Sequence, residues 1–241
     1  AVGNPAGYGD TVDPGDRLRA AGGYHLTYDA DGGLTRKYLT ADSATFNQHL
    51  FWNALSQLDS VMTTRSGTTT TVTFGYDGFG RRVRKTVRSG TTTGFLYLGA
   101  DLYMQLNSSG AWTTEYSELP GIDQPQAITR SAGATYHVAR DTRSGSVAGL
   151  VRPSDDSTVA KYTYTPFGSL IAGQSVDTVP NELKFAAREY DAETGLYYFR
   201  NRYYDPQVGR FVSEDPAGLG GGINAYAFAG NGNKTYVALN A

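Results

Sequence analysis

The chain has 241 residues, no cysteine and a formal charge of −2 from 21 basic and 23 acidic residues. This excludes disulfides, thiolate catalysis and cysteine zinc sites, and it lacks the clustered basic excess of a dedicated nucleic-acid binder. No apolar run approaches the roughly 18 residues of a membrane span, and the length suits one large domain or two small ones with a real core.

The chain opens at Ala1 rather than Met, as a processed product or an excised fragment does, without a charged segment leading into an apolar export signal. Residues 1–22, with Gly, Pro and Asp throughout, read as a linker or a poorly pinned edge. Then a unit recurs. Tyr28-Asp29-Ala30-Asp31-Gly32-Gly33-Leu34 returns as Trp52-Asn53-Ala54-Leu55-Ser56-Gln57-Leu58 and as Tyr76-Asp77-Gly78-Phe79-Gly80-Arg81-Arg82, with a spacing of 24 twice over. Asp or Asn after the aromatic suits the first position of a type I turn, and a glycine further on supplies the positive φ that closes a bulged hairpin. The flanks alternate, with Tyr24, Leu26 and Tyr28 on one face and Val72, Phe74 and Tyr76 on one face. Each repeat is therefore one β-hairpin, and a single hairpin buries too little to stand alone, so the units must stack edge to edge.

Residues 94–98 and 102–106 read as strands, as do 136–140, 146–151 and 158–164. Later copies of the unit start at Tyr164 and Tyr190, and the five aromatics Tyr28, Trp52, Tyr76, Tyr164 and Tyr190 are expected in equivalent places beside their turns. Residues 181–189 form the best helix candidate, a short one.

The Tyr-Asp-x-x-Gly series resembles the YD repeats of RHS proteins. Residues 188–219, from Arg188 through Tyr197-Tyr198-Phe199-Arg200-Asn201-Arg202-Tyr203-Tyr204-Asp205-Pro206 to Asp215-Pro216-Ala217-Gly218-Leu219, are similar to the RHS-associated core, and residues 223–231 continue it. Residues 146–170 resemble the segment upstream of that core. The resemblance implies an all-β fold: a curled antiparallel sheet of YD hairpins, part of an RHS-type cocoon, closed by the core. It divides the chain into a 1–22 edge segment, 23–180 YD hairpins, a 181–233 core and a divergent 234–241 tail. It also implies a structural role, as shell or plug of a secreted or surface-displayed bacterial toxin or wall-associated protein. The expected partners are a C-terminal toxin, upstream YD repeats, or further copies of the chain through open strand edges. A shell this short should not enclose a toxin-sized cavity.

In the family the core also resembles an aspartyl self-protease, with two Asp-Pro-x-Gly motifs and an upstream arginine. Adjacent carboxylates share a proton, so that one activates water while the other polarises the scissile carbonyl. The resemblance carries these roles onto Asp215 and Arg202. After Tyr236-Val237, where the second motif belongs, stands Ala238-Leu239-Asn240-Ala241, so the second carboxylate is missing and self-cleavage is not expected. Asp205-Pro206 reads as a turn rather than a replacement partner. Arg188, Arg200, Arg202 and Arg210 alternate with aromatics, a pattern better suited to buried ion pairs and stacking than to nucleic acid. His25, His49 and His137 lack ligand spacing, and Asp29-Ala30-Asp31-Gly32 lacks the ligands of a calcium loop, so neither a metal nor a cofactor is expected. Asn107-Ser108-Ser109 and Asn233-Lys234-Thr235 fit a glycosylation acceptor pattern that means little in a bacterial protein. A carbohydrate-binding or adhesion module is the third reading, and it requires tyrosine rows facing solvent.

Overall fold

The structure, a computed structural model, describes residues 10–228. The chain forms β1 (Thr11–Val12), β2 (Leu18–Ala21), β3 (Tyr24–Tyr28), β4 (Leu34–Leu39), β5 (Phe46–Trp52) and β6 (Leu58–Arg65). There follow β7 (Thr68–Tyr76), β8 (Arg82–Val87), β9 (Thr92–Leu98), β10 (Asp101–Leu106) and β11 (Trp112–Glu118). Next come β12 (Pro125–Arg130), β13 (Thr135–Arg140), β14 (Val147–Arg152), β15 (Ser157–Lys161) and β16 (Val176–Asp177). These sixteen pair antiparallel in chain order as one meander, and among the described residues β1 and β16 each have a single neighbour, so hydrogen bonds between them do not close the sheet. A second sheet holds β17 (Glu189–Asp191), β18 (Leu196–Phe199), β19 (Arg202–Asp205) and β20 (Arg210–Phe211) in the same order.

Local turn chemistry makes the hairpins. Asn53 Oδ1 accepts the Leu55 and Gln57 amides at 2.9 and 3.0 Å, and Asp77 Oδ1 accepts those of Phe79 and Arg81 at 2.9 and 3.0 Å. In the first copy Asp29 Oδ1 accepts the Gly33 amide at 2.7 Å. The third residue after each Asp or Asn has positive φ, at Gly32, Ser56 and Gly80. The register shifts at each repeat aromatic, between Thr27 and Tyr28, Phe51 and Trp52, and Gly75 and Tyr76. The aromatic then works across hairpins. Trp52 Nε1 donates to the Leu34 carbonyl at 2.9 Å, Tyr76 Oη to that of Leu58 at 2.7 Å, and Tyr164 Oη to that of Val147 at 2.7 Å. A donor on a large apolar body fits this place, which is why Trp and Tyr occupy it.

The repeat runs further than its aromatic signature. Asp13 Oδ1 caps the Gly15 and Arg17 amides, and Asn107 Oδ1 caps those of Ser109 and Ala111, behind Val12 and Leu106 instead of an aromatic. Within the segment read as linker or edge, residues 10–22 thus contribute β1 and β2 to the sheet's edge. Tyr190 departs from the other four. It sits inside β17 against Tyr197, and the Asp191 side chain leaves its own turn to bind Arg82.

The small sheet lies within the curl of the large one. Leu196, Tyr198 and Tyr203 pack with Leu26, Leu34, Leu50, Leu58 and Val61 from the large sheet. The opposite face, Tyr197, Phe199, Tyr204 and Phe211, packs with Phe185 and Phe228. Attachments come from along the meander: Leu34 N to Val212 O at 2.7 Å, Gln48 Nε2 to Thr194 O at 2.8 Å, and Val147 N to Lys184 O at 2.9 Å. We call this small sheet the plug.

The helix expected over residues 181–189 is replaced by a single 3₁₀ turn at Phe185–Ala187, with Ala186 and Ala187 at φ 51° and 54°. Bonds outside the helical ladder, one of them to the distant Ser146, override propensity here. Leu183 bridges to Glu189, Ala186 N donates to Ser146 Oγ at 2.9 Å, and Tyr190 N donates to Glu182 O at 2.7 Å. These bonds use backbone groups that a helix would pair internally.

Candidate functional site

Arg202 and Asp215, brought together across the plug's edge, form an ion pair with Nη2 to Oδ2 at 2.9 Å. Arg202 rises from the start of β19, is 4 % exposed, and its guanidinium lies 3.6 Å over the Phe211 ring. Burial pulls its pKa below the ordinary arginine value against the raising effect of Asp215. Asp215 is held by its own turn: its amide donates to Ala225 O at 3.0 Å, and Oδ1 accepts the Ala217 amide at 2.9 Å. Both residues line a cleft of about 570 Å³ whose walls include Trp52, Gln57, Tyr76 and Glu214. One oxygen of Asp215 therefore faces a guanidinium and the other caps a turn. Tyr236-Val237, the 234–241 tail and Asn233 lie outside the described residues.

Asp205 has a different partner. It is fully buried, binds Lys37 Nζ and accepts the Gln207 amide at 2.9 Å, as a turn residue at the end of β19. The arginines read as ion-pair formers make such pairs. Arg188 meets Asp123 at 2.7 Å, and Arg200 meets Asp123 at 2.8 Å and Asp101 at 3.4 Å. Arg210 instead donates to the Asp16 carbonyl at 2.5 Å.

The chief site residues missed in sequence are Arg82, Lys37 and Lys85. Arg82 is fully buried, 2.5 Å from Asp191, and lies over the Tyr198 and Phe95 rings at 4.5 and 4.7 Å. Lys85 joins Asp191 at 3.2 Å and Glu193 at 3.3 Å. The repeat holds the signal. Six residues after the aromatic come Leu34, Leu58 and Arg82, and nine after it come Lys37, Val61 and Lys85, all buried. A cation in an apolar register of a one-sided sheet requires a buried anion opposite, and the plug supplies it.

Tyr116, Tyr197, Tyr198, Tyr203, Tyr204 and Tyr226 are buried. The inward tyrosines favour a shell over an open aromatic binding face. His25 stacks on Tyr38, burial lowers the His49 pKa, and the described residues contain no group of three or more His, Asp or Glu suited to a metal. No helix among them is long and apolar enough to cross a membrane.

The teneurin YD-shell family profile matches residues 8–230. Toxin protein Tse5 of Pseudomonas aeruginosa is 30 % identical over 233 residues, covering 90 % of this chain and 16 % of its own length. The tRNA3(Ser)-specific nuclease WapA of Bacillus spizizenii is 31 % identical over 185 residues, covering 75 % of this chain and 8 % of its own. This chain thus spans a small part of either relative. Among solved structures, the crystal structure of TcdB2–TccC3 superposes with a TM-score of 0.61 at 20 % identity, covering 90 % of this chain and 13 % of that one. Repeat hairpins, inward aromatics and plug, together with a profile match over nearly the whole chain, make this protein a member of the teneurin YD-shell family, of RHS/YD-repeat type.

Proposed function

We propose that this chain is the closing end of a YD shell, with residues 23–180 as wall, 181–233 as core, and a C-terminal effector as the cargo of a secreted or surface-displayed bacterial toxin. The observation that carries the reading is the plug seated in the curl while β1, among the described residues, has β2 as its single neighbour. An unpaired strand edge recruits another strand, and a further YD hairpin added at β1 would extend the wall. The relatives named as toxins support a cargo. The test is limited proteolysis of the parent polypeptide with its natural flanks. Residues downstream of the core should survive protease levels that destroy the same segment expressed alone, and equal digestion of both would overturn the reading.

Self-cleavage is the second reading, favoured by the Arg202–Asp215 pair at an open cleft. In our reading the pair is structural here, because the chemistry implied by the resemblance needs a second Asp-Pro-x-Gly carboxylate, and Ala238-Leu239-Asn240-Ala241 stands in its place. A reporter fused after Ala241 should stay attached. Cleavage abolished by Asp215→Asn would contradict this, and installing Asp-Pro-x-Gly from position 238 should switch cleavage on.

A further inference from the structure

The plug meets the large sheet through three clusters of charge, and one of them brings three carboxylates together. Lys37 faces Asp205, and Arg82 with Lys85 faces Asp191 and Glu193. At the third, Asp101 at the start of β10 and Asp123 in the loop after β11 pair with Arg188 and Arg200 of the core, and Glu118 at the end of β11 stands beside the two carboxylates. These groups line one small cavity of about 10 Å³ with Glu189 and Tyr97. Glu189 is turned toward Tyr97, whose hydroxyl donates to its Oε1 at 3.2 Å, and burial raises its pKa against the lowering effect of Arg82 and Arg188. Arg140 faces Glu118 from β13 but donates to Gln124 Oε1 at 2.6 Å. Glu118 Oε2 is buried without a hydrogen-bond partner. The Arg188 side chain is 4 % exposed, and its Nε also has no partner.

We propose that Asp101, Glu118 and Asp123 form a proton-operated latch. With Glu118 neutral, the sheet grips Arg188 and Arg200 of the core, and loss of that one proton loosens the grip. An ionised Glu118 would put a third negative charge beside Asp101 and Asp123 with its Oε2 buried and without a hydrogen-bond partner, while the nearby Arg140 gives its hydrogen bond to Gln124, an arrangement that a low-dielectric site resists. Burial, with Asp101 and then Asp123 beside it, raises Glu118 to about 8, and burial also raises Asp123 despite its two arginines. The sign follows from linkage. The closed state keeps a proton that the open state releases near 4.5, so closure weakens as pH rises from there to about 8, by at most about tenfold per pH unit. The inference goes beyond the shell reading, and it stands whether or not Asp215 cleaves.

The test is amide hydrogen exchange on the whole chain at residues 119–124 and 185–188, corrected for intrinsic base catalysis. From pH 6.5 to 8 protection should fall by about tenfold in the unaltered protein and stay level in Glu118→Gln. An equal fall in both overturns the latch. Carbon-13 titration of the Glu118 carboxyl in the unaltered protein needs no variant: a midpoint near 8 supports the latch, and one near 4.5 overturns it.

Discussion

The large sheet buries one face and the plug buries two, and the two regions are specified by different physics. Along β5 the pattern alternates, with Phe46, Gln48 and Leu50 buried and their neighbours partly open, as a one-sided sheet requires. In β18 and β19 every residue is buried, including Arg202 and Asp205. The large sheet is assembled from local hairpins, each carrying its own turn. The plug is two-sided, so its polar groups must find partners far away in sequence, and Arg82 with Asp191 is the clearest case, 109 residues apart. Substitutions across that long-range contact should therefore cost most, and substitutions within one hairpin less.

The largest effect is expected at Arg82. Arg82→Ala leaves Asp191 buried with only Lys85 beside it, and urea denaturation should report a loss of about 3–5 kcal/mol. A double variant, Arg82→Met with Asp191→Leu, should recover much of that, since replacing a buried pair by apolar groups is often neutral. If Arg82→Ala cost no more than a surface substitution, the plug would not be held by charge.

Tyr76 comes next. Tyr76→Ala should cost about 3 kcal/mol by opening a cavity between neighbouring hairpins. Tyr76→Phe keeps the ring and loses the hydroxyl's bonds to Leu58 O and to the Tyr203 hydroxyl, so thermal melts should place its cost at about 1–2 kcal/mol. Equal costs would mean that the hydroxyl, and not the ring, is what matters.

Within a single hairpin, Asp77→Ala removes an oxygen that caps two amides and should cost about 1 kcal/mol in the same melts. Smallest of all is the exposed Arg152–Asp155 pair, at 3.1 Å in the turn between β14 and β15. Arg152→Ala should shift stability by less than about 0.5 kcal/mol, and a larger loss would show that this turn makes contacts beyond the pair.

The same contrast explains what was legible in the sequence. The hairpins at Tyr28, Trp52, Tyr76 and Tyr164 could be read because turn type, bulge and anchoring aromatic lie within seven residues. The hairpins at Asp13 and Asn107 were hidden because Val12 and Leu106 stand in the aromatic's place, although the turn chemistry is intact. Residues 181–189 misled because apolar and charged residues interleave there as in a helix, while Ser146 and Val147 capture the backbone from outside. Asp215 and Arg202 were named from the core motif, and their ion pair is the structure's addition. Arg82 was written in the repeat as a cation in a leucine register, but its anion lies in another sheet, beyond the reach of any local pattern.

The central claim, that the plug is the two-sided interior of a one-sided wall, is tested most directly by native-state hydrogen exchange of the whole chain. Amides of Leu196–Phe199 and Arg202–Asp205 should be among the slowest, exchanging only with global unfolding, while those of β1 and β16 at the sheet edges exchange first. Exchange of β18 and β19 while β4 to β8 remain protected would contradict the account, because the wall would then stand without its plug.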